Sequence, residues 1–208
     1  MSNNFQEQLA KARREQILDA AIEVIAEQGF QRTKIKQIAA RAGVADGTIY
    51  NYFKNKDAIF LAIMGRLSEA EVRELDFAEA QKIPFAQFVQ GYIAHRAQEV
   101  GAAHQILKAV MPEAISNPEL SKALYEQIYE PGFKVAEAYF AHLMENGRLP
   151  PGDPVIMARL FASPLIGLMF LRLMGDEHVI EHWETYGAEM GKLLLAAYGD
   201  NHADESSG

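Results

Sequence analysis

Residues 33–64, TKIKQIAARAGVADGTIYNYFKNKDAIFLAIM, constrain this chain more than any other stretch. Thr33 can cap a first short helix, because its hydroxyl accepts a backbone N–H two or three residues on. Ile35, Ile38, Ala39 and Ala42 then share one face at helical spacing. Gly43 falls where a tight turn needs a positive φ. Asp46 can cap a second short helix running through Tyr52. On it Ile49 and Phe53 lie four apart and point inward, which leaves Gly47, Thr48, Tyr50, Asn51 and Tyr52 facing outward. Asn55 opens a third, longer helix with Ile59, Phe60, Ile63, Met64 and Leu67 on its inner side. The pattern is a helix-turn-helix feeding a connector, and two exposed tyrosines on one short helix need a partner.

The run AGVADGTIYNYFKNKDAIF resembles the signature of TetR/AcrR-type bacterial repressors, in which a glycine-hydroxyl-apolar-tyrosine-x-aromatic-phenylalanine run precedes a connector helix. The likeness covers about residues 10–64 and is architectural beyond them. It implies that Thr33, Tyr52 and Lys56 clamp the DNA backbone, with Lys56 helped by a nearby helix N-terminus. Gly47, Thr48, Tyr50 and Asn51 then approach base edges and phosphates in the major groove. Lys34 and Lys36 are within reach of phosphate, and Lys36 of a guanine; the alternative for both is simple solvation. Asp46 departs from the family pattern, where a basic or small residue is usual. Either it caps its helix or it accepts from a cytosine amino group. The same stretch is also similar to regulators of fatty-acid degradation that respond to acyl-CoA.

A net charge of −8 suits a DNA-binding protein poorly until it is divided. Residues 1–60 hold nine Lys and Arg against seven Asp and Glu, a net of +2, so the remainder carries −10. Most of those seven acids fall on the first helix, leaving a locally positive face around the helix-turn-helix. There is no cysteine, which removes a disulfide scaffold, a thiolate metal site and a catalytic thiol. The N-terminal residues lack the apolar core of a signal peptide. With 49% hydrophobic and 23% charged residues the composition is that of a globular protein.

Around the motif the chain reads as helices throughout. From Phe5 to Gln28, Ile17, Leu18, Ala21, Ile22 and Ile25 form a stripe that Gly29 closes. The connector is expected to run from Lys56 to about Phe77, turning polar over Ser68–Leu75. Pro84 starts a helix with Phe85, Phe88, Val89, Tyr92 and Ile93 inside. Gly101 and Pro112 bracket a shorter one around Ile106, Leu107 and Val110. Asn117 and Pro118 open the next, expected to reach Asn146 with a disturbance at Pro131–Gly132. The proline-rich loop 150–154 precedes two last helices, about 154–174 and 177–198. Leu160–Met174 is too short to span a bilayer, is interrupted by Arg172, and reads as a buried helix.

The expected fold is all-α with about nine helices. Residues 1–55 would be the helix-turn-helix DNA-binding domain, 56–200 a helical ligand-binding and dimerisation domain, and 201–208 a disordered tail. Tyr92, His95, His104, Met111, Tyr125, Tyr129 and Phe133 are amphipathic residues able to line a small-molecule pocket between helices. The last two helices read as a homodimer interface. The first is apolar around most of its circumference, with Leu165, Leu168 and Met169; on the second, Gly187, Gly191 and Leu194 allow close approach. A two-fold pair of recognition helices reads a palindrome, whereas one helix covers too few base pairs.

An enzymatic alternative rests on His178-x-x-Glu181-His182, which matches the pattern of a zinc peptidase family. That family needs a further carboxylate far downstream, where this sequence has only 26 residues after His182, so no metal, cofactor or catalysis is expected. The reading is of a cytoplasmic, dimeric one-component repressor. It would bind palindromic double-stranded operator DNA and be released by a small lipophilic ligand, an acyl-CoA among the candidates.

Overall fold

The computed structural model describes residues 2–68 and 80–198. Among them the chain is helical, with no strand. The helices are α1 (Ser2–Gln28), α2 (Ile35–Arg41), α3 (Asp46–Tyr50), α4 (Lys56–Ser68), α5 (Phe85–Ala102), α6 (His104–Ser116), α7 (Pro118–Leu124), α8 (Glu130–Glu145), α9 (Pro154–Met174), α10 (Glu177–Glu181) and α11 (Trp183–Tyr198). A π-helical turn, Tyr125–Tyr129, joins α7 to α8. Nine helices result if α7 with α8 and α10 with α11 are each counted once. The expectations for the connector beyond Ser68 and for the tail from residue 199 lie outside the described residues.

Two compact units emerge, and each is discontinuous in sequence. The first joins the N-terminal 68 residues to His104–Ile128, so α6 and α7 pack with the helix-turn-helix. Its core is the inward stripe of α1 (Ile17, Leu18, Ala21, Ile25) against Ile38, Ile49, Phe53, Ile59, Phe60 and Ile63, all 3% exposed or less. Gly29 at φ 83° ends α1 and Gly43 at φ 65° makes the turn after α2, as the sequence requires. Asn55 accepts from the Ala58 N–H at 2.8 Å and opens α4.

Several local expectations are corrected. Thr33 is not a cap: Lys34 holds that position, where its N–H donates to the Gln37 side chain at 2.8 Å, while the Thr33 hydroxyl turns inward to donate to the Gly29 carbonyl at 2.9 Å. Asp46 is the first residue of α3, with Ala45 at the cap, and α3 ends at Tyr50 rather than Tyr52. Pro112 lies inside α6 instead of ending it. It is exposed, and it leaves the Lys108 carbonyl without the usual intrahelical donor. The disturbance expected at Pro131–Gly132 appears one turn earlier, as the π turn. Pro131 offers no N–H to the Gln127 carbonyl, and the chain absorbs that mismatch by widening the turn before it.

The second unit is built from α5, α8, α9, α10 and α11. Its core centres on rings: Phe88, Tyr139, Phe140 and Phe161, with Tyr92 at its edge, have centroids 5.0–6.5 Å apart. The Trp183 indole donates to the Ala97 carbonyl at 2.7 Å, pinning α11 to α5. This anchor sets the register of α11, and the expected single helix 177–198 breaks at His182. Asp153 and Asp176 cap α9 and α10 through their carboxylates.

Helix α9 is 21 residues long and, by length and composition, apolar enough to cross a membrane. Only Ala158, Phe161 and Met169 of it are buried, which corrects the reading of Leu160–Met174 as a buried helix. Arg172 fits this helix by laying its guanidinium over the Trp183 ring at 4.7 Å.

Candidate nucleic-acid interface and effector cavity

The outward side of α3 presents Asp46, Gly47, Tyr50 and the following Asn51 to solvent, with Thr48 and Tyr52 half-buried. Tyr50 is 56% exposed although Ile49 beside it is fully buried. An exposed phenol on a helix whose preceding residue anchors the core is placed by the fold, at a position where packing gives it no role. Lys34 and Lys36, at the start of α2, are exposed and form no ion pair among the described residues. Lys54, in the turn after α3, shares both properties and was not singled out by sequence; its signal is a lysine one residue past the buried Phe53.

Other basic groups are already engaged. Arg41 bridges Glu23 and Glu27 of α1 at 2.9 Å, and this pairing raises the guanidinium pKa and holds the Glu27 carboxyl below its ordinary range. Arg66 pairs with Asp19 at 2.6 Å. The acids of α1 therefore neutralise Arg41, one of the nine basic residues within 1–60. Around α2 and α3 the other exposed basic side chains are then Arg32, Lys34, Lys36 and Lys54.

Two expected phosphate contacts change character. Thr33 is 2% exposed, with its hydroxyl directed into the module. Lys56 donates to the Phe30 carbonyl at 3.0 Å and the Gln31 carbonyl at 3.2 Å, with its ammonium 4.5 Å above the Phe30 ring. Both residues thus hold together the turn between α1 and α2. Asp46 sits in the first turn of α3, where the helix dipole favours a carboxylate without a capping bond.

In the second unit a cavity of about 120 Å³ opens between α5, α8 and α9. Tyr92, Tyr129 and Phe133, three of the seven expected pocket residues, line it. His95, His104, Met111 and Tyr125 do not, and the last three belong to the other unit. Periodicity finds inward faces but does not tell which void they border. Arg96, Val100, Phe161, Leu165, Ile166 and Met169 complete much of the wall. Arg96 was missed by sequence; its signal is the stripe Tyr92, Arg96, Val100 at helical spacing.

Of the six residues expected at a dimer interface, four are buried within their own unit and Leu165 and Leu168 are half-buried. Met169 and Leu194 belong to the core of their own unit, with Leu165 and Leu168 packed against it. Gly187 and Gly191 are buried, and a Cβ on Gly187 would meet that of Ala97 at 2.9 Å. The exposed apolar side chains of these helices are Val155, Ile156, Leu160, Leu171 and Met174 on α9 and Leu193 on α11. Apolar content identified the helices; only packing shows which side each turns inward.

His178 and His182 stack with ring centroids 4.4 Å apart, and Nδ1 of His178 lies 3.1 Å from the Tyr186 hydroxyl. Glu181 ends α10, so the three residues of the zinc-like pattern do not share a continuous helix. Among the described residues no group of three or more His, Asp or Glu is placed to hold a metal.

A helix-turn-helix with an exposed tyrosine, in a chain whose other unit encloses a cavity, defines a DNA-binding regulator class. The profile of bacterial regulatory proteins of the tetR family matches residues 17–63, and that of the AefR-like transcriptional repressor C-terminal domain matches residues 86–199, more than half of the chain. The chain belongs to the TetR family. It is 31% identical over 148 residues to the fatty acid metabolism regulator protein of Bacillus subtilis, covering 69% of this chain and 74% of that one. The transcriptional repressor KstR of Mycobacterium tuberculosis is 27% identical over 74% of this chain and 67% of its own. Among solved structures, the regulator FadR from Bacillus subtilis in complex with stearoyl-CoA superposes with a TM-score of 0.73 at 27% identity, covering 89% of this chain and 98% of that one. A complex of SmeT with triclosan gives 0.74 at 25% identity, covering 92% and 93%. SmeT is described as the repressor of a Stenotrophomonas maltophilia multidrug efflux pump.

Proposed function

We propose that the protein is a cytoplasmic, homodimeric transcriptional repressor that binds a palindromic operator and leaves it when a small lipophilic effector occupies the α5–α8–α9 cavity. The observation that carries the DNA half is Tyr50, held outward by the buried Ile49 in a module whose Lys34 and Lys36 are exposed. The effector half is supported by the apolar cavity and by relatives described with stearoyl-CoA and triclosan. Ligand and operator oppose each other through linkage: an effector that favours a conformation in which paired recognition helices no longer match successive major grooves weakens DNA binding, and DNA weakens its binding in turn.

The second copy would cover the exposed stripe of α9, from Ile156 and Leu160 to Leu171 and Met174, together with Leu193 of α11. Large contiguous apolar faces of this kind mark association surfaces. Light scattering of Leu160→Glu combined with Leu193→Glu should report a monomer of retained helicity, whereas a wild-type monomer at micromolar concentration refutes the dimer.

Selection of bound sequences from a random duplex library tests the operator reading. A two-fold symmetric motif is expected, with Tyr50→Ala lowering its affinity at least tenfold. Recovery of no symmetric motif, or an unchanged affinity for Tyr50→Ala, counts against it.

A further inference from the structure

The effector cavity encloses about 120 Å³, and its wall is made chiefly of rings and aliphatic chains, Phe133, Phe161, Leu165 and Met169 among them. Its three polar side chains, Tyr92, Arg96 and Tyr129, each already interact within the protein. Among the described residues, none that lines the cavity carries a buried side-chain polar atom without a hydrogen bond. We infer that the effector is a compact, uncharged, single-ring molecule, held by apolar contact with this wall and without an ion pair. This deepens the ligand-responsive reading above and rests on it.

Size and polarity each point to that class. An apolar cavity of about 150 Å³ stays dry and admits benzene, so 120 Å³ suits one ring. A stearoyl chain and the two rings of triclosan both exceed it. Protein interiors are otherwise close-packed, and the lining of a void forgoes dispersion contacts that a ring of matching size restores. A charged ligand meets the opposite balance. It would lose its water with no polar group waiting for it, and could gain a partner only by displacing an interaction that Arg96 already makes. A neutral ring gives up little hydration and leaves those interactions intact.

The test is calorimetric titration and thermal shift of the full-length protein with toluene, benzyl alcohol, benzoate, benzylammonium, triclosan and stearoyl-CoA. Toluene and benzyl alcohol should bind at least about tenfold tighter than either charged analogue. Ala162 lines the cavity with little more than a Cβ, so Ala162→Leu should fill the space, raise the unfolding midpoint and weaken toluene binding about tenfold or more. Leu165→Ala should enlarge the cavity and shift preference from toluene toward naphthalene. In the wild type, benzoate or benzylammonium binding as tightly as toluene overturns the inference whatever the variants do. So does a failure of both single-ring compounds to bind, or tighter binding of triclosan or stearoyl-CoA. Toluene binding that neither variant alters overturns it as well. These titrations contain no DNA and are independent of the operator. Toluene that binds but fails to release a selected operator would count against the repressor reading and leave the ligand class standing. An operator released by stearoyl-CoA and by no single-ring compound would do the reverse.

Discussion

Thr33 and Lys36 lie three residues apart and divide the work of the motif. Thr33 is buried and its hydroxyl donates to the Gly29 carbonyl, so Thr33→Val should cost about 1 kcal/mol of stability, the net worth of one such bond. Lys36 is exposed without an ion pair, so Lys36→Ala should leave stability within about 0.5 kcal/mol. On operator DNA the order reverses. The lysine substitution should reduce the salt dependence of binding by about one counterion, and Thr33→Val should leave that slope intact. Denaturant melts and binding isotherms from low to high salt separate the two. A reduced slope for Thr33→Val would restore the phosphate contact that the motif alone suggests. Lys56 belongs with Thr33: its ammonium is held by two carbonyls and a ring, and its effect on DNA would pass through the turn it fixes.

Close approach of α5 and α11 depends on two glycines. A Cβ at Gly101 would meet the Trp183 indole nitrogen at 2.8 Å, and one at Gly187 would meet the Ala97 Cβ at 2.9 Å. Neither neighbour is a flexible chain end. Gly187→Ala should therefore destabilise the protein by about 1–3 kcal/mol through overpacking, despite the better helix propensity of alanine. Thermal unfolding followed by circular dichroism gives the answer. A neutral or raised midpoint would mean that the helices separate easily, and that Gly187 is available for a surface role as its sequence setting implied. Helix α6 shows the opposite tolerance, with Pro112 accommodated because its face is open to water.

Whole-molecule stability should fall in alkali for a reason rooted in the ring core. Burial pushes the Tyr139 hydroxyl up to about 12 from an ordinary 10.0, partly offset by Arg148. The folded state then holds a proton that the unfolded chain releases. The associated stability is present below pH 10, declines as pH rises from there, and is lost by about pH 12. Tyr139→Phe should flatten this part of the stability profile, measured by urea melts across the range. An unchanged slope would place the titration elsewhere.

Local chemistry made most of the helices legible in the sequence. Gly29 and Gly43 end helices because few other residues accept positive φ, and Asn55, Asn117 and Asp153 start them because their side chains satisfy free N–H groups. The outward side of α3 followed from the spacing of Ile49 and Phe53, which fixes what must face out. Sequence could not decide the partner of each inward face. Arg41 counted toward the positive face until α1 brought acids to it, and Gly187, Met169 and Leu194 looked like interface until α5 and the ring core took them up. The cavity and its one cation likewise exist only once α5, α8 and α9 are assembled. Periodicity and caps act within a turn or two of helix and are written in neighbouring residues. Pairing, burial and enclosed volume depend on contacts between residues far apart in the chain, and for this protein those were settled only in the tertiary structure.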